Sequence, residues 1–404
     1  MTIRMDKGAA ELLDTLHGAG YAAYVVGGCV RDSLLGLTPH DWELCTSALP
    51  QQGMELFGAE KCIPTGLQHG TVTVKQGGGL YEITTFRTEG AYTDGRHPDE
   101  VHFVPDVRED LARRDFTINA MAYNEKEGLV DPFGGQADLQ SGILRAVGVP
   151  HQRFTEDALR ILRLYRFAAR FGFAIDPPTA QAAQELCAHL DCVSVERIEE
   201  ELAKLLSAPA PAAYLDEKIL GVVLPELLPE ALAAAKPVVD ACPAGEQALP
   251  VRLAALLLSL GEDGTRRTLR RLRCSNARIE ETAVLVREVV SGVPVSLNIY
   301  ARKLLGQYGL KTVQRLAALG TALQPEHSAD FAALSKLAER LDADGVCCRV
   351  SQLAVNGRDL MAAGVPAGPG IRKVLEALLD GVIREEYPNE RQALLAAVQQ
   401  LAAS

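Results

Sequence analysis

The spacing of hydrophobic positions changes once along the chain. In the first third, aromatic and β-branched residues form short runs between turn residues, which is typical of strands. The runs are residues 21–26, 42–46, 71–75 and 81–86. From Phe154 onward, Leu and Ala recur at helical spacing, and clusters of Pro and Gly separate the segments. The pattern predicts an α+β fold in which one small mixed β-sheet with helices precedes an all-α remainder.

Length and composition narrow the class of protein. The chain has 404 residues, whereas single cores stop growing near about 250–300 residues, so we expect at least two domains. Residues 1–20 read as an amphipathic helix, and no apolar run approaches the roughly 20 residues of a membrane span. We therefore expect no signal peptide and no membrane anchor. Nine cysteines without metal-site or disulfide spacing indicate reduced thiols and a cytoplasmic location.

Charge gives a mixed indication about nucleic-acid binding. The formal net charge of −11 argues mildly against it, since phosphate contacts usually leave a basic footprint. Arginines nevertheless crowd residues 153–170 and 266–273. Taken alone, each segment is more typical of a solvated helix face than of an RNA site.

A predicted strand runs into Gly27 and Gly28 and is followed by a helix that contains Arg31. Without a Cβ, the backbone can approach a triphosphate closely, the helix start offers free N–H groups, and Arg31 adds a forked cation. This turn is therefore suited to holding a phosphate. Alone, a Gly-Gly connection between a strand and a helix is usually only a turn.

Carboxylates mark the next predicted strands. Asp41 and Glu43 are two residues apart and share a strand face, and Glu82 lies on the 81–86 strand. Such carboxylates repel each other unless a cation lies between them, and Mg²⁺ prefers oxygen ligands. Acidic pairs are common on exposed strand edges, but three carboxylates beside a phosphate-holding turn indicate a two-metal phosphoryl-transfer site. We predict Asp41 and Glu43 as the metal ligands and Glu82 as a third catalytic carboxylate.

Arg113 and Arg114 open a predicted helix. One interpretation is a surface helix start with a salt bridge. The other is that Arg114 points at the nucleotide and neutralises its phosphates.

Four segments follow one another within residues 21–205. They are GlyGlyCysValArgAsp from Gly27, AspTrpGlu from Asp41, ArgArgAspPheThrIleAsnAla from Arg113 and GluAspAlaLeuArgIleLeuArg from Glu156. Together they resemble the signature of class II CCA-adding enzymes, within the DNA polymerase β nucleotidyltransferase superfamily. Bacterial poly(A) polymerases share most of it. The resemblance implies a polymerase β-like nucleotidyltransferase head (1–150), a base-reading neck (151–205), a helical body (206–310) and a tRNA-binding tail (311–404).

The resemblance also implies roles for particular residues. Gly28 and Arg31 would contact the triphosphate, and Arg114 the nucleotide. The nucleotide-facing neck helix would carry Asp157, Arg160, Arg163 and Arg166. The family usually has Asp where this chain has Glu43, a departure that bears on the geometry of the metal site and on turnover.

Hydrogen-bond chemistry predicts how a base could be selected. Asp157 and Arg160 are three residues apart and would be neighbours on one helix face. Cytosine and adenine each present an amine donor beside a ring-nitrogen acceptor, which suits an Asp acceptor beside an Arg donor. Uracil and guanine reverse this order and would leave buried polar groups unpaired. An ordinary i, i+3 ion pair is the alternative, which the arginine stripe that continues to Arg170 disfavours.

The expected reaction is addition of C, C and A from CTP and ATP to the 3′ end of tRNA, with Mg²⁺ as cofactor and no protein partner implied. A poly(A) polymerase, a CC-adding enzyme and an A-adding enzyme remain alternatives. A catalytically silent RNA-binding protein, with Glu43 as the lesion, is an alternative from another class. Residues 88–98, with Asp94 and Arg96, resemble the family's flexible loop, and we predict that they control the step from C to A. An ordinary hairpin connection with a surface ion pair is the alternative.

Overall fold

The computed structural model describes residues 2–90, 100–289 and 296–403. The chain forms two compact units, Met1–Pro225 and Glu226–Ser404. All strands of the described residues belong to the first unit, and the second unit is helical. The predicted α+β class is therefore confirmed, whereas the division into head, neck, body and tail stays a prediction.

The first unit contains the strands and about half of the helices. In chain order the strands are β1 Ala23–Val26, β2 Glu43–Thr46, β3 Cys62–Gly66, β4 Thr71–Gln76, β5 Gly79–Thr85, β6 Arg87–Glu89, β7 Val101–Phe103, β8 Ala122–Asn124, β9 Gly128–Val130, β10 Ile143–Leu144 and β11 Ala174–Ile175. The helices are α1 Lys7–Gly18, α2 Gly28–Leu34, α3 Pro50–Phe57, α4 Val107–Ala112, α5 Gly135–Ser141, α6 Pro150–Glu156, α7 Leu159–Phe171, α8 Pro177–Glu185, α9 Val195–Leu206 and α10 Glu217–Val223.

Within the described residues, seven of these strands form one mixed sheet in the order β3-β4-β5-β2-β1-β8-β9. Neighbouring strands are antiparallel except β2 and β5, which run parallel. The antiparallel pair β6–β7 and the parallel pair β10–β11 lie outside this sheet. The order places β2 beside both β1 and β5, so residues at the start of β2 lie close to the end of β1.

The four predicted strands are confirmed as β1, β2, β4 and β5, with ends shifted by at most two residues. Sequence patterning missed the short strands, because a run of two or three residues carries too little alternation. The prediction of a wholly helical chain after Phe154 is wrong at Ala174–Ile175, which pairs with β10.

Burial explains the position of the sheet. β1 is buried along its whole length, and its Tyr24 and Val26 join Phe86 and Leu111 in one hydrophobic cluster. Helix α1 buries Leu12 and other apolar residues at helical spacing and contacts β1 and β2. The strand that leads to the Gly27 turn is thus fixed by packing.

The second unit consists of helices. They are α11 Pro229–Ala241, α12 Leu249–Leu257, α13 Gly261–Arg271, α14 Asn276–Val289, α15 Leu297–Tyr308, α16 Leu310–Leu323, α17 Ser328–Ala343, α18 Gly357–Ala362, α19 Gly370–Ile383 and α20 Arg391–Ala403. Helix α12 is buried on all sides and contacts α11, α14 and α16, so it forms the centre of this unit. Among the residues described, no helix is both long and apolar enough to cross a membrane.

Candidate active site

The turn after β1 brings an acidic and a basic side chain together. Gly27 has φ +76°, a conformation that favours glycine. A Cβ at Gly27 would lie 2.9 Å from Arg114 Nη1 and 3.5 Å from Glu43 Oε2. The absence of a side chain at Gly27 therefore lets both groups approach the backbone. Gly28 opens α2 and is half-buried.

Carboxylates form one wall of the site. Glu43 and Glu82 are register partners in the parallel pair β2–β5, and both residues are exposed. Burial of part of the Glu82 carboxyl, together with repulsion by Glu43 and Asp41, raises the pKa of Glu82 above its ordinary value. The three predicted carboxylates are thus close enough to influence one another.

Asp41 lies two residues before β2, so it is not part of that strand as predicted. Its side chain is 85% exposed and contacts His40, with 3.1 Å between Oδ1 and Nδ1. In the described part of the chain, no three His, Cys, Asp or Glu side chains form a ready metal-ligand group. Glu43 and Glu82 nevertheless offer the carboxylate oxygens that a hard divalent cation prefers, and their mutual repulsion would be relieved by one.

Arginines form the facing wall. A pocket of about 180 Å³ separates the two walls, lined by Val26, Glu43, Leu44, Glu82, Thr84, Arg87, Arg113 and Arg114. Two carboxylates hold the arginines in place. Glu89 Oε1 accepts from Arg87 Nη2 at 2.9 Å and from Arg113 Nη1 at 2.8 Å. The pocket therefore places anionic oxygens opposite fixed cations, as a metal-assisted nucleotide site requires.

Asp110 is the second carboxylate behind the arginines, and it is fully buried. It pairs with Arg113 Nη2 at 2.8 Å and with Arg114 Nη2 at 3.3 Å, and it accepts from the Arg87 amide at 3.3 Å. Burial opposes ionisation of Asp110, but the charges of Arg113 and Arg114 outweigh it and lower its pKa. Asp110 is therefore an anion that orients Arg114 towards the Gly27 turn.

The prediction that Arg113 and Arg114 open a helix is wrong. Helix α4 ends at Ala112, Arg113 is its C-terminal cap, and both arginines therefore follow a helix. The spacing still has a physical reason, because residues three and four apart are neighbours on a helical turn. Asp110 thus meets both arginines at the end of α4.

Arg31 lies behind the site rather than in the open pocket. It is only 4% exposed. Its guanidinium donates to Asp32 Oδ1 at 2.8 Å and to Asn119 Oδ1 at 2.5 Å. Burial lowers the pKa of Arg31, with Asp32 acting in the opposite direction. The predicted contact of Arg31 with a triphosphate stays a prediction.

Residues 151–205, the predicted neck, contain a helix break that the sequence pattern did not indicate. Helix α6 ends at Glu156, α7 begins at Leu159, and Asp157 lies between them with φ −144°. Asp157 and Arg160 are therefore not on one helix as predicted. Asp157 Oδ1 accepts a hydrogen bond from the Leu159 amide at 3.0 Å. Hydrogen bonds of this local kind make Asp more common at helix starts than in helix interiors.

Asp157 and Arg160 also have different partners. Asp157 Oδ2 pairs with Arg197 Nη2 at 2.7 Å. Arg160 pairs with Glu156 at 2.7 Å, and its Nη2 donates to the Arg113 carbonyl at 3.1 Å. Arg160 thus links α7 to the segment that carries Arg114.

Arg163 and Arg166 lie on α7, as predicted. Arg163 pairs with Asp115 at 2.7 Å, and Arg166 pairs with the buried Glu201 of α9 at 2.7 Å. Burial lowers the pKa of Arg166 to about 10, with Glu201 opposing the shift and the charge of Arg163 adding to it. The two arginines are held by carboxylates from different parts of the first unit.

Sequence reasoning missed several residues that shape the site. Asp110 had a local signal, since it lies three and four residues before the paired arginines. Arg197 and Glu201 had none, because they contact Asp157 and Arg166 from α9, about 35–40 residues away along the chain. Asp94 and Arg96 of the predicted loop lie outside the described residues, which include the flanking strands β6 and β7.

Comparison with known proteins agrees with this geometry. Residues 23–145 match the poly(A) polymerase head domain, residues 172–231 a probable RNA- and SrmB-binding site of polymerase A, and residues 251–398 a putative domain 2 of tRNA nucleotidyltransferases. The chain is 36% identical over 403 residues to the CCA-adding enzyme of Lactiplantibacillus plantarum, which spans 96% of this chain and 95% of that one. It is 38% identical over 400 residues to the CCA-adding enzyme of Lactobacillus delbrueckii subsp. bulgaricus, covering 96% of each.

A solved structure is similar along the whole chain. The crystal structure of the Bacillus stearothermophilus CCA-adding enzyme in complex with CTP superposes with a TM-score of 0.85 at 33% identity, over 99% of this chain and 98% of that one. The fold and the facing walls of the pocket define a nucleotidyltransferase with a polymerase β-like head. The chain belongs to the family of CCA-adding enzymes.

Proposed function

We propose that this chain adds C, C and A to the 3′ end of tRNA without a template, using CTP and ATP and releasing pyrophosphate. The observation that carries the proposal is the pocket in which Glu43 and Glu82 face Arg113 and Arg114 at the Gly27 turn. Relatives named as CCA-adding enzymes match along 96% of the chain, which favours this reaction over poly(A) synthesis.

The reaction needs the tRNA 3′-hydroxyl to attack the α-phosphate of the nucleotide while the bond to the β-phosphate breaks. Asp41 and Glu43, with Glu82 beside them, are the carboxylates that would hold divalent cations, and we propose Mg²⁺. Mg²⁺ held by these carboxylates would activate the tRNA 3′-hydroxyl and would neutralise charge on the leaving pyrophosphate. Glu43 reaches further than the Asp that is usual in the family, and its place beside Glu82 supports the proposal that it still serves as a ligand.

Arg114 supplies the fixed positive charge on the other side. Burial alone would lower its pKa, but Asp110 and Glu43 raise it above the ordinary value, so it stays charged. A cation held by a buried carboxylate costs no reorganisation when the phosphates arrive. We propose that Arg114 contacts the nucleotide, that the Gly28 backbone approaches the triphosphate, and that Arg31 contributes through its charge.

We propose that the neck (151–205) selects the base. We propose that Asp157 accepts a hydrogen bond from the exocyclic amine of C or A and that Arg160 donates to the ring nitrogen. The pair Asp157–Arg197 supports this role because a charge-assisted hydrogen bond of 2.7 Å holds the Asp157 side chain in one orientation. Arg163 and Arg166 complete the proposed nucleotide-facing set.

Two further proposals follow from the reaction. The substrates CTP, ATP and tRNA are cytoplasmic, and the nine cysteines are free thiols, so we propose a cytoplasmic location. We also propose the division into a catalytic head (1–150), a neck (151–205), a body (206–310) and a tRNA-binding tail (311–404). The three family matches support parts of this division, since they follow the same order.

The test is incorporation of labelled CTP and ATP into tRNA that lacks its 3′ CCA, with and without Mg²⁺. We expect Mg²⁺-dependent addition of two C and one A. Addition of A alone in long runs would identify a poly(A) polymerase, products that end at CC or need a CC end would identify a partial enzyme, and tRNA binding without incorporation would identify a silent RNA-binding protein.

A further inference from the structure

Two stacked phenylalanines lie among the arginines of the first unit. Phe167 and Phe171 are four residues apart on α7, and their rings are parallel within 4° with centroids 6.1 Å apart. Three guanidiniums lie over the Phe167 ring. The Cζ to centroid distances are 4.0 Å for Arg166, 5.2 Å for Arg31 and 5.4 Å for Arg163.

Phe171 continues this arrangement. Its ring centroid lies 4.9 Å from Arg31 Cζ and 5.0 Å from Arg170 Cζ. Arg31 of α2 therefore contacts the faces of both rings of α7. A salt bridge of 3.3 Å between Asp32 Oδ2 and Arg170 Nη2 also links the two helices.

Four cations this close would repel one another without compensation. Three carboxylates approach them, since Asp32 pairs with Arg31 and Arg170, Asp115 with Arg163, and Glu201 with Arg166. Four guanidiniums against three carboxylates leave one surplus positive charge. The negative face of a phenyl ring attracts cations, so the rings add attraction where the carboxylates do not neutralise all of the arginine charge.

We propose that Phe167 is a positioning residue for nucleotide binding, whose ring holds Arg163 and Arg166 together as a second preformed cationic wall and anchors it to the buried Arg31. The inference rests on the proposed function. Arg163 is the member of this set with the greatest side-chain exposure, at 33%, and the ring and Asp115 fix its guanidinium from two sides. A wall fixed before the substrate arrives binds a polyanion such as a nucleoside triphosphate without having to assemble first.

Replacing the ring tests the proposal. Met has a volume close to that of Phe and adapts to irregular cores, so Phe167→Met removes the ring face with little loss of packing. Phe167→Tyr keeps the ring. Phe173→Met is the matched control, because Phe173 belongs to the same aromatic group, 5.5 Å from Phe171, and no guanidinium of the described residues lies over its ring.

We expect Phe167→Met to raise KM for both CTP and ATP about tenfold and to leave kcat nearly unchanged, because the loss of a desolvated cation–π contact weakens ground-state and transition-state binding alike. Phe167→Tyr should restore KM to near the wild-type value, and Phe173→Met should not change it. A purely structural role would instead lower the active fraction, which reduces kcat without changing KM. The Tm of each variant shows that the proteins compared are folded.

An unchanged KM in Phe167→Met, an equal rise in Phe173→Met, or a rise that Phe167→Tyr does not reverse would overturn the inference. If Phe167→Met does not fold at the assay temperature, Phe171→Met carries the test, with a smaller rise in KM expected because its ring holds two guanidiniums. Wild-type protein that incorporates neither nucleotide contradicts the proposed function itself. Wild-type activity combined with an unchanged KM contradicts this inference alone.

Discussion

Glu43 and Glu82 lie side by side as register partners in the parallel strands β2 and β5. The charge of Glu43 helps to raise the pKa of Glu82, after the larger effect of burial. The repulsion between neighbouring carboxylates is relieved by a cation between them. This relationship makes the acidic wall of the pocket a candidate metal site.

We predict that Asp41→Ala and Glu43→Ala each reduce CTP and ATP incorporation at least about a thousandfold, because metal assistance contributes several kcal/mol to such transfers. Glu43→Asp should remain active. Binding of tRNA, measured by filter retention, should change little. Glu125→Ala is a control, since Glu125 is an exposed acid beside β8 of the same sheet. Near-wild-type incorporation by either alanine variant would remove the two-metal interpretation.

A second prediction concerns base selection. Asp157→Ala and Arg160→Ala should each relax the preference for CTP over UTP by about 10- to 100-fold, since a good bidentate contact contributes about 1–3 kcal/mol of discrimination. The measurement is competition between labelled nucleotides. The pair Asp157–Arg197 suggests that Arg197→Ala should have a weaker effect in the same direction, because Asp157 remains but loses its orienting partner.

Arg153→Ala is the matched control for Arg160→Ala. Arg153 pairs with the same Glu156 at 2.6 Å and donates to the Ala112 carbonyl at 3.0 Å, so it repeats the structural contacts of Arg160 beside the end of α4. Selectivity that falls equally in Arg153→Ala would mean that Arg160 acts only through the packing of α6 and α7 against the end of α4. Unchanged selectivity in both Asp157→Ala and Arg160→Ala would place base reading elsewhere.

The sequence predicted those features that depend on local patterns. Long strands with clear alternation, such as β4 and β5, and the glycine turn at Gly27 carry their signal within a few residues. The placement of Glu82 beside Glu43 could also be anticipated, since both acids lie on predicted strands of one small sheet. The structure confirms that these strands are neighbours and adds that they run parallel, with Glu43 and Glu82 in register.

Features that depend on distant contacts were not predictable in this way. Asp157 is not helical, because its carboxylate accepts a hydrogen bond from the Leu159 amide and pairs with Arg197 of α9. The contact with Arg197 cannot be predicted from the residues near Asp157 in the sequence. The burial of Arg31 follows from the positions of Asn119 and Phe167, which are far away along the chain. Arginines in motifs were therefore easy to find, but their partners were visible only in the fold.

A third prediction concerns residues 88–98. Strand β6, which includes Thr88 and Glu89, pairs with β7, and the Gly90 amide donates to the Glu100 carbonyl at 2.9 Å. Asp94 and Arg96 lie outside the described residues. Deleting residues 90–97, or replacing Asp94 and Arg96 with Ala, should leave C addition nearly normal and impair the final A. Addition of C by the same variant is the internal control. Complete CCA ends formed at an unchanged rate, or equal loss of C and A addition, would show that this segment does not control the step from C to A.

A fourth prediction uses the buried carboxylate of Asp110. Its pKa is lowered in the folded protein by Arg113 and Arg114, despite burial. A carboxyl whose folded pKa is depressed contributes stability above its unfolded pKa, and this contribution is lost as the pH falls through the folded pKa. At pH 7 the contribution is complete, because the unfolded pKa of Asp is about 3.9.

We therefore expect Asp110→Asn to lower the free energy of unfolding by about 3 kcal/mol at pH 7, since removing one partner leaves buried arginine charge uncompensated. From pH 7 to pH 3, the difference between wild type and variant should narrow by about 1 kcal/mol, because protonation of the unfolded wild-type carboxyl removes its advantage. The measurement is unfolding at a series of pH values. Glu109→Gln, at the exposed neighbouring position of α4, should show almost no difference at any pH. A difference for Asp110→Asn that stays constant or widens towards pH 3 would show that Asp110 is not the paired anion that holds Arg114.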